Sequence, residues 1–359
     1  MSIGETQFGC LDLAGNGQWS KHVESKLRDL ADKCGVELKL EQARQKSDLP
    51  DNLFSRQEFW QSWAKGGTNT ILVVTPWLES PEKARLRREA LQANICLQFM
   101  QPMPKPEEYR TYNIILGLLL KAKWQPVGLE PLDHPEAADL VIGFDAETNG
   151  DLHYGTSAFA VLGNGQSLGW ELPEAQPGET LSEQAVLRTV THIISRFRKI
   201  KKCSPKRILL LRDGFIQSDE FEAVIGELGK INISVDLLEV LKSGVGRMAV
   251  FPYQSEYLED PQPGTAILAD DDTFKIVTSK AIAGGSARPL RIVRVRGNAS
   301  LEILARQIDR LAMLNPASAY AYSRLPYVIH FADRMAKEVQ RLGDTSCLHQ
   351  LDREKIFFA

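Results

Sequence analysis

Short apolar runs alternate with amphipathic segments along the first third of the chain. TNTILVVTP (68–76) and ICLQFM (95–100) predict buried strands, because brief apolar runs bounded by turn residues are typical of the inner strands of a sheet. Apolar positions with helical spacing predict helices at 22–34, 80–92 and 107–123. This alternation of strands and helices predicts a parallel sheet with helices on its faces.

A stretch rich in proline and acid, PVGLEPLDHPEAA, separates this pattern from a second one. The second pattern opens with a strand from Asp139 to Asp145, followed by two strands that an Asn-Gly turn joins in SAFAVLGNGQSLGWEL. Further elements are predicted in chain order: a helix at 181–198, the strand RILLLRD, the helix SDEFEAVIGELG, the strand INISVDLLEV, the strands TAILAD and FKIVTS, and helices at 299–313 and 332–342. Hairpin strands followed by strands interleaved with helices predict a mixed sheet, as in RNase H-like proteins and in other α/β folds.

Composition narrows the class of protein. At 359 residues and 43% hydrophobic content, the chain is long enough for one large domain or two ordinary ones. The net charge of −3 means that any surface for nucleic acid must be a local basic one. No apolar run is long enough to span a membrane, no signal-peptide pattern follows Met1, and the five cysteines form no CxxC pair. We therefore expect a soluble, cytoplasmic protein without a disulfide framework or a zinc site.

Three acidic residues lie at the ends of predicted elements, and a fourth lies in a loop. Asp145 and Asp213 end strands, Asp333 begins a helix, and Glu179 lies in the Pro/Gly loop EAQPGET. Carboxylate oxygens bind hard divalent cations, and two such ions can cleave a phosphodiester bond. Each position also suits an ordinary turn or helix-start residue, and Glu147 is an alternative to Asp145.

Basic residues form two candidate phosphate contacts. Lys83 and Arg87 are four residues apart and share one helix face, and Lys121 ends the next predicted helix. In RPLRIVRVR, strand alternation places Arg294 and Arg296 on one face, where they could follow a nucleic-acid backbone. Exposed charges on solvated surfaces are the alternative in both places.

Taken together, these segments resemble the MID and PIWI domains of the Argonaute family. VIGFDAETN resembles the family's first aspartate motif, LLLRDGF its RDG motif, QPGETLSEQ its glutamate loop and LPYVIHFADRMAKEV its closing segment. The resemblance implies that Asp145, Glu179, Asp213 and Asp333 form a catalytic set that holds two Mg²⁺ or Mn²⁺ ions. Glu179 lies midway between the first two aspartates in sequence, which favours it over the other candidates, Glu171, Glu174 and Glu183.

The same resemblance implies a pocket for the 5′ phosphate of a guide strand. TPWLESPEKARLRREA, ICLQFM, YNIILGLLLKAKWQPVGL and the terminal IFFA resemble the family segments that build this pocket. The implied residues are Lys83, Arg87, Gln98, Lys121 and the carboxylate of Ala359, the last often through a metal ion, with Arg88 and Lys123 as alternatives. GGSARPLR resembles a guide-contacting segment, so that Arg288 joins Arg294 as a candidate contact to the nucleic-acid backbone.

The resemblance thus implies an α/β chain with a Rossmann-like MID domain at 1–130 and an RNase H-like PIWI domain at 131–359. The implied function is a guide-directed endonuclease that binds a 5′-phosphorylated guide, with DNA preferred, and cleaves the complementary target by two-metal hydrolysis. Full-length Argonautes also have N and PAZ domains, for which this sequence has no room. The chain is therefore expected to be either the C-terminal part of a longer or split protein, with N and PAZ domains on a separate chain in the split case, or an active short form. The alternative function is a module that binds guide and target but acts through a partner chain.

Overall fold

The structure is a computed structural model. It describes residues 7–359 apart from 15–16, 36–37, 41–43, 46–56, 77–78, 103–104, 106, 150–151, 173–179, 218, 252–256, 281–284 and 319–322. The chain forms two compact units. The first unit comprises Met1–Pro126, Pro316–Tyr320 and Glu338–Ala359, and the second comprises Val127–Asn315 and Ala321–Lys337. Within the described ranges, every helix is too short or too polar to cross a lipid bilayer.

The first unit is built on a parallel sheet. Its elements are β1 (Gln7–Asp12), α1 (Gln18–Cys34), β2 (Lys39–Leu40), β3 (Arg44–Gln45), α2 (Gln57–Lys65), β4 (Thr68–Val74), α3 (Ser80–Gln92), β5 (Cys96–Met100) and α4 (Glu108–Lys121). The strand order is β2-β1-β4-β5, β3 also pairs with β1, and every pair is parallel. The predicted parallel sheet is confirmed, and the first predicted helix begins earlier than expected, at Gln18.

Alternate residues of β4 serve two separate cores in this unit. Ile71 and Val73 belong to a buried cluster that includes side chains of α2 and α3. Leu72 and Val74 belong to another buried cluster, with side chains of α1 and α4. Because both faces of the sheet are covered, the sequence of β4 is a continuous apolar run rather than an alternating one.

Among the described residues, the second unit contains the remaining strands, three complete helices and most of a fourth. Its elements are β6 (Leu140–Asn149), β7 (Leu152–Leu162), β8 (Ser167–Glu171), α5 (Glu183–Lys201), β9 (Arg207–Asp213), α6 (Glu222–Lys230), β10 (Ser234–Leu241), β11 (Ala266–Leu268), β12 (Thr273–Ile276), β13 (Leu290–Arg296), α7 (Leu301–Met313) and the first part of α8 (Tyr327–Leu342). A short 3₁₀ turn (Ser346–Leu348) follows α8 in the first unit.

These strands form one mixed sheet with the order β11-β12-β13-β10-β9-β6-β7-β8. The three strands β6, β9 and β10 are parallel neighbours, whereas the other pairs are antiparallel. The predicted mixed sheet is confirmed. The amphipathic helix α5 packs its apolar stripe into the main core through Val186, Val190, Ile193 and Phe197, which recur at the spacing of one helix face.

Helix α8 begins at Tyr327, so the predicted start near residue 332 was wrong. Tyr327 and Phe331 are fully buried, and each ring centroid lies 5.2 Å from that of Phe159 on β7. This aromatic packing stabilises an additional first turn directly after Pro326. Asp333 therefore lies inside the helix rather than at its start.

Candidate active site

The sheet and α8 bring three aspartates together in the second unit. The predicted strand end at Asp145 was wrong, because β6 continues to Asn149, whereas Asp213 does end β9. The two strands are parallel neighbours with Phe144 opposite Arg212, so the residues that follow these partners, Asp145 and Asp213, lie side by side. Asp333 comes from α8. One carboxylate oxygen from each aspartate lies within 4.8 Å of the others. Three of the four carboxylates predicted to converge therefore do so.

Two contacts set the position of Asp333 against β6 and β7. A Cβ atom added to Gly143 would lie 2.6 Å from the main-chain carbon of Val328, so only glycine permits this approach of α8 to β6. Ser157, the β7 partner of Asp145, donates a hydrogen bond of 2.7 Å from Oγ to the carbonyl of Ala332. The residues that flank two of the aspartates thus hold those aspartates near each other.

The cluster is electrostatically strained. Asp145 is 6% exposed, and its Oδ2 atom has no hydrogen-bond partner among the residues that the structure describes. Burial, and then the negative charges of Asp213 and Asp333, raise the pKa of Asp145 to about 7. A buried carboxylate oxygen without a partner, beside two other carboxylates, is an arrangement that a cation would stabilise.

Two lysines contact the other aspartates. Lys242 Nζ lies 2.6 Å from Asp213 Oδ2, and Lys337 Nζ lies 2.7 and 2.8 Å from the two oxygens of Asp333. Burial opposes the charged form of Lys242, but Asp213 outweighs it, and the pKa of Lys242 is raised. These ion pairs offset part of the negative charge of Asp213 and Asp333. Asp145 is the aspartate of the cluster whose charge is offset least.

The three aspartates fit a site for divalent cations. Two oxygen ligands on opposite sides of a Mg²⁺ ion are about 4 Å apart, which is close to the 4.8 Å spread of the cluster. The donors are all carboxylates, which Mg²⁺ and Mn²⁺ prefer over softer ligands. The aspartates line a cavity of about 200 Å³ that also includes Arg212, Phe215 and Lys242.

Glu179, the predicted fourth carboxylate, lies outside the described residues, as does Glu174. The described chain resumes at Thr180, and the Leu181 amide donates a hydrogen bond of 2.9 Å to Glu220 Oε1. Glu220 is buried, and its other oxygen lies 3.5 Å from Nε of Arg212, the residue before Asp213. The hydrogen bond and the ion pair together link Leu181 to the strand that carries Asp213.

The alternatives to these carboxylates have other positions. Glu171 forms a 2.7 Å ion pair with Arg196, and Glu183 begins α5. The side chain of Glu147 lies outside the described part of the chain.

Three predicted phosphate ligands meet in the first unit. The fully buried Lys121 donates from Nζ to Gln98 Oε1 at 2.9 Å and to a main-chain oxygen of Ala359. A Cβ atom at Gly117 would lie 2.5 Å from Gln98 Oε1, so glycine at this position gives the amide its space. The apolar residues Ile356, Phe357 and Phe358 are buried and hold the end of the chain beside Lys121.

The other cations predicted for this pocket have protein partners. Arg87 forms an ion pair with Glu338, and its guanidinium lies 5.2 Å from the ring centroid of Phe99. Lys83 is half-buried on the same helix. Of the alternatives, Arg88 donates to the carbonyl of Leu342 at 2.7 Å, and Lys123 pairs with Asp352 at 2.5 Å.

The two predicted backbone contacts differ. Arg288 is exposed just before β13. Arg294 is half-buried and donates to Asp272 at 2.8 Å and to the carbonyl of Ala299 at 2.6 Å. The first bond ties β13 to the turn between β11 and β12, and the second ties it to the segment between β13 and α7, which favours a structural role for Arg294.

Two residues of the site, Lys242 and Glu220, were not predicted from the sequence. Lys242 directly follows β10, whose residue Val240 pairs with Asp213, so the strand-end signal that marked Asp213 also applied to Lys242. Glu220 precedes α6 and carries no such signal, because its role depends on tertiary contacts with Arg212 and Leu181.

Comparison with known proteins shows which family this chain belongs to. The Piwi domain family matches residues 81–343. This chain belongs to the Argonaute family. It is 47% identical over 360 residues to an Argonaute of Synechococcus elongatus, covering 99% of this chain and 49% of the relative. It is 36% identical over 355 residues to an Argonaute of Thermus thermophilus, covering 99% of this chain and 50% of the relative. The chain therefore spans about half the length of the curated Argonautes it matches.

Solved structures agree on the fold. The Argonaute of Clostridium butyricum, bound to a guide DNA and a 19-mer target DNA, superposes with a TM-score of 0.80 at 18% identity, covering 99% of this chain and 50% of that one. An Argonaute described as Aa-Ago, with externally bound siRNA, superposes with a TM-score of 0.66 at 16% identity, covering 100% of this chain and 51% of that one. The RNase H-like fold of the Piwi domain is thus the scaffold of the three-aspartate cluster.

Proposed function

We propose that this chain is the guide-binding and cleaving part of an Argonaute. The first unit binds the 5′ phosphate of a guide strand, and the second unit cleaves the paired target. The observation that carries this proposal is the convergence of Asp145, Asp213 and Asp333 to within 4.8 Å on a Piwi fold. A module that only binds nucleic acid has no need of three clustered carboxylates, whose mutual repulsion costs stability.

In the proposed reaction Asp145, Asp213 and Asp333, with Glu179 as the fourth ligand, would hold two Mg²⁺ or Mn²⁺ ions. When bound, such ions supply activation of a water molecule and stabilisation of the leaving oxygen. The protein positions its own groups for this task. Gly143 and Ser157 fix α8, and Arg212 and Glu220 link Leu181 to β9. The products have 3′-hydroxyl and 5′-phosphate ends.

The proposed guide pocket uses Lys121, Gln98 and the Ala359 carboxylate. Lys83 and Arg87 of α3 are further proposed ligands. A buried ammonium beside an amide suits a phosphate, and the carboxylate of Ala359 would hold a metal ion at this pocket. The charge of Lys121 then favours a guide that carries a 5′ phosphate. The exposed Arg288 is the proposed contact to the nucleic-acid backbone, and Arg294 is a weaker candidate because its donors are engaged.

Guide and target are proposed to be DNA, by analogy with the Argonaute of Clostridium butyricum, whose structure contains a guide DNA and a target DNA. Base pairing between the two strands, rather than protein side chains, would select the target. A separate chain that supplies N and PAZ domains is a proposed partner. Sequencing and end-group analysis of the nucleic acid that copurifies with the protein tests the choice of DNA and the 5′ phosphate.

The proposal is tested by incubating the chain with a 5′-phosphorylated guide, a complementary labelled target and Mn²⁺. We expect one cut at a fixed distance from the guide 5′ end, no cut with a non-complementary target, and none with EDTA. Asp145→Ala and Asp213→Ala should abolish the cut while guide binding, measured by filter retention, survives.

Three outcomes would contradict the proposal. Retention of guide and target without product in the wild-type chain would favour the binding module, and cleavage that needs no guide would favour an unguided nuclease. Full activity of either alanine variant would show that the aspartates are not the metal ligands.

A further inference from the structure

The cavity beside the three aspartates is also lined by Lys242, whose ammonium group contacts the cluster. Its Nζ atom lies 2.6 Å from Asp213 Oδ2, and its side chain is 38% exposed, whereas that of Asp213 is 4% exposed. The same residue lines the cavity of about 200 Å³ together with all three aspartates. One end of the ion pair is therefore buried and the other faces the space that a substrate would enter.

Other residues hold the main chain at Lys242, whereas its ammonium group is held by the ion pair with Asp213. β10 runs parallel to β9, with Val240 opposite Asp213, and Lys242 follows the last residue of β10. Arg324 donates from Nη2 to the carbonyls of Lys242 at 2.6 Å and of Pro289 at 3.1 Å. The backbone thus presents Lys242 at a defined position, while four methylene groups allow its ammonium to swing across the cavity.

Lys337, the other lysine at the cluster, has a different arrangement. It contacts Asp333 from four residues further along the same helix, and its side chain is 45% exposed. It is not among the residues that line the described cavity. This is an ordinary surface pair on one helix, so the two lysines differ in what they can reach.

An ammonium group and a divalent cation compete for the same carboxylate oxygen. An oxygen that accepts a hydrogen bond from Lys242 at 2.6 Å cannot also hold a Mg²⁺ ion at about 2 Å without strong repulsion between the two cations. A cation that binds this Oδ2 atom must therefore move the ammonium. Because Asp145 and Asp333, which line the same cavity, would also hold cations, the substrate phosphate is the anion left for the ammonium to contact.

We propose that Lys242 is a further catalytic residue, which releases Asp213 to a divalent cation and then donates to a non-bridging oxygen of the scissile phosphate. This inference rests on the proposed nuclease function. It predicts two effects of opposite sign when the charge is removed. Metal binding without nucleic acid becomes tighter, because a competitor is gone, and cleavage becomes slower, because a donor to the phosphate is gone. A lysine with only a structural role would weaken both when replaced.

The test uses the whole chain with Lys242→Met, which keeps the length of the side chain without its charge. Mn²⁺ binding is measured without nucleic acid by the EPR signal of free Mn²⁺, and the sites that belong to the cluster are those lost in Asp145→Asn/Asp213→Asn. We expect the Kd of Lys242→Met for Mn²⁺ to fall about tenfold. Single-turnover cleavage at saturating Mn²⁺ should slow about 100-fold, as on loss of a preorganised donor.

Matched variants exclude general effects of charge and folding. Lys230→Met removes a lysine that forms a 2.6 Å ion pair with Glu227 on the exposed side of α6, and it should change neither quantity. Lys242→Gln should repeat the pair of effects with a polar side chain, and Lys242→Arg, which keeps the charge, should bind Mn²⁺ as the wild type does.

The inference is wrong if both neutral variants bind Mn²⁺ with wild-type or weaker affinity, or if they cleave at the wild-type rate. A wild-type chain that binds no Mn²⁺ at the cluster instead contradicts the proposed function itself, so the two failures are distinguishable.

Discussion

The close approach of α8 to β6 at Gly143 offers direct control over the geometry of the three aspartates. Gly143 lies two residues before Asp145, and Val328 lies five residues before Asp333 on the helix that it meets. Gly143→Ala places a methyl group in this contact without touching a carboxylate. The substitution therefore moves a ligand without removing one.

The size of the displacement follows from the structure. The new Cβ would lie 2.6 Å from the main-chain carbon of Val328, and an ordinary contact begins at 3.4 Å, so the helix must retreat by about 0.8 Å. Overpacking of this kind costs about 1–3 kcal/mol of unfolding free energy, and a misplacement near 1 Å lowers a rate by about 100-fold. We expect cleavage to slow by about 30- to 100-fold and Mn²⁺ affinity to weaken by about tenfold.

Three measurements on the purified variant check this: single-turnover cleavage, Mn²⁺ titration and thermal unfolding, in which the Tm should fall by about 5 °C. The control is Gly226→Ala on α6, where an added Cβ meets nothing within 4 Å. This control should keep the wild-type rate and be slightly more stable, because alanine favours a helix over glycine. A Gly143→Ala protein with wild-type rate and Mn²⁺ affinity would refute the account of how α8 is positioned.

Three further predictions concern other parts of the chain. Lys121→Met should weaken binding of a 5′-phosphorylated guide by about 30-fold yet leave binding of a 5′-hydroxyl guide unchanged, and equal losses for both guides in filter binding would argue against the phosphate pocket. Gly297 has a φ of 112°, and an added Cβ atom would clash with Asp236 Oδ1. Gly297→Ala should therefore lower the free energy of unfolding, measured by urea denaturation, by about 3 kcal/mol. A loss below about 1 kcal/mol would contradict this prediction. Burial, and then the charge of Arg334, lower the pKa of His330 to about 4. Between about pH 6.5 and 4 the folded state therefore binds fewer protons than the unfolded state, and the free energy of unfolding falls as acid is added. His330→Gln should reduce this loss by at most about 3 kcal/mol, and parallel curves of stability against pH for the two proteins would show that His330 is not the cause.

Much of the fold was predictable from local patterns. The apolar run of β4 and the strand that ends at Asp213 are continuous because both faces of a parallel strand are covered, and that pattern is visible in the sequence. The closeness of Asp145 and Asp213 follows from the same reasoning, since they lie on neighbouring parallel strands, but the end of β6 was predicted four residues too early, at Asp145 instead of Asn149.

The remaining features depend on tertiary contacts that spacing does not encode. The start of α8 was predicted too late, because the packing of Tyr327 and Phe331 on Phe159 stabilises a turn that local propensity does not mark. The contact of Lys121 with Ala359 joins residues 238 positions apart and was expected from family resemblance alone. The Gly143 contact was not predicted, since only the packed structure shows which backbone the glycine meets.

A crystal of the chain grown with Mn²⁺ tests the central claim most directly, through anomalous diffraction at the manganese edge. We predict two peaks about 4 Å apart, in contact with Asp145, Asp213 and Asp333 and lost from crystals of Asp213→Asn. Strong anomalous peaks elsewhere on the protein, with none among the three aspartates, would contradict the claim that this cluster holds the metal ions.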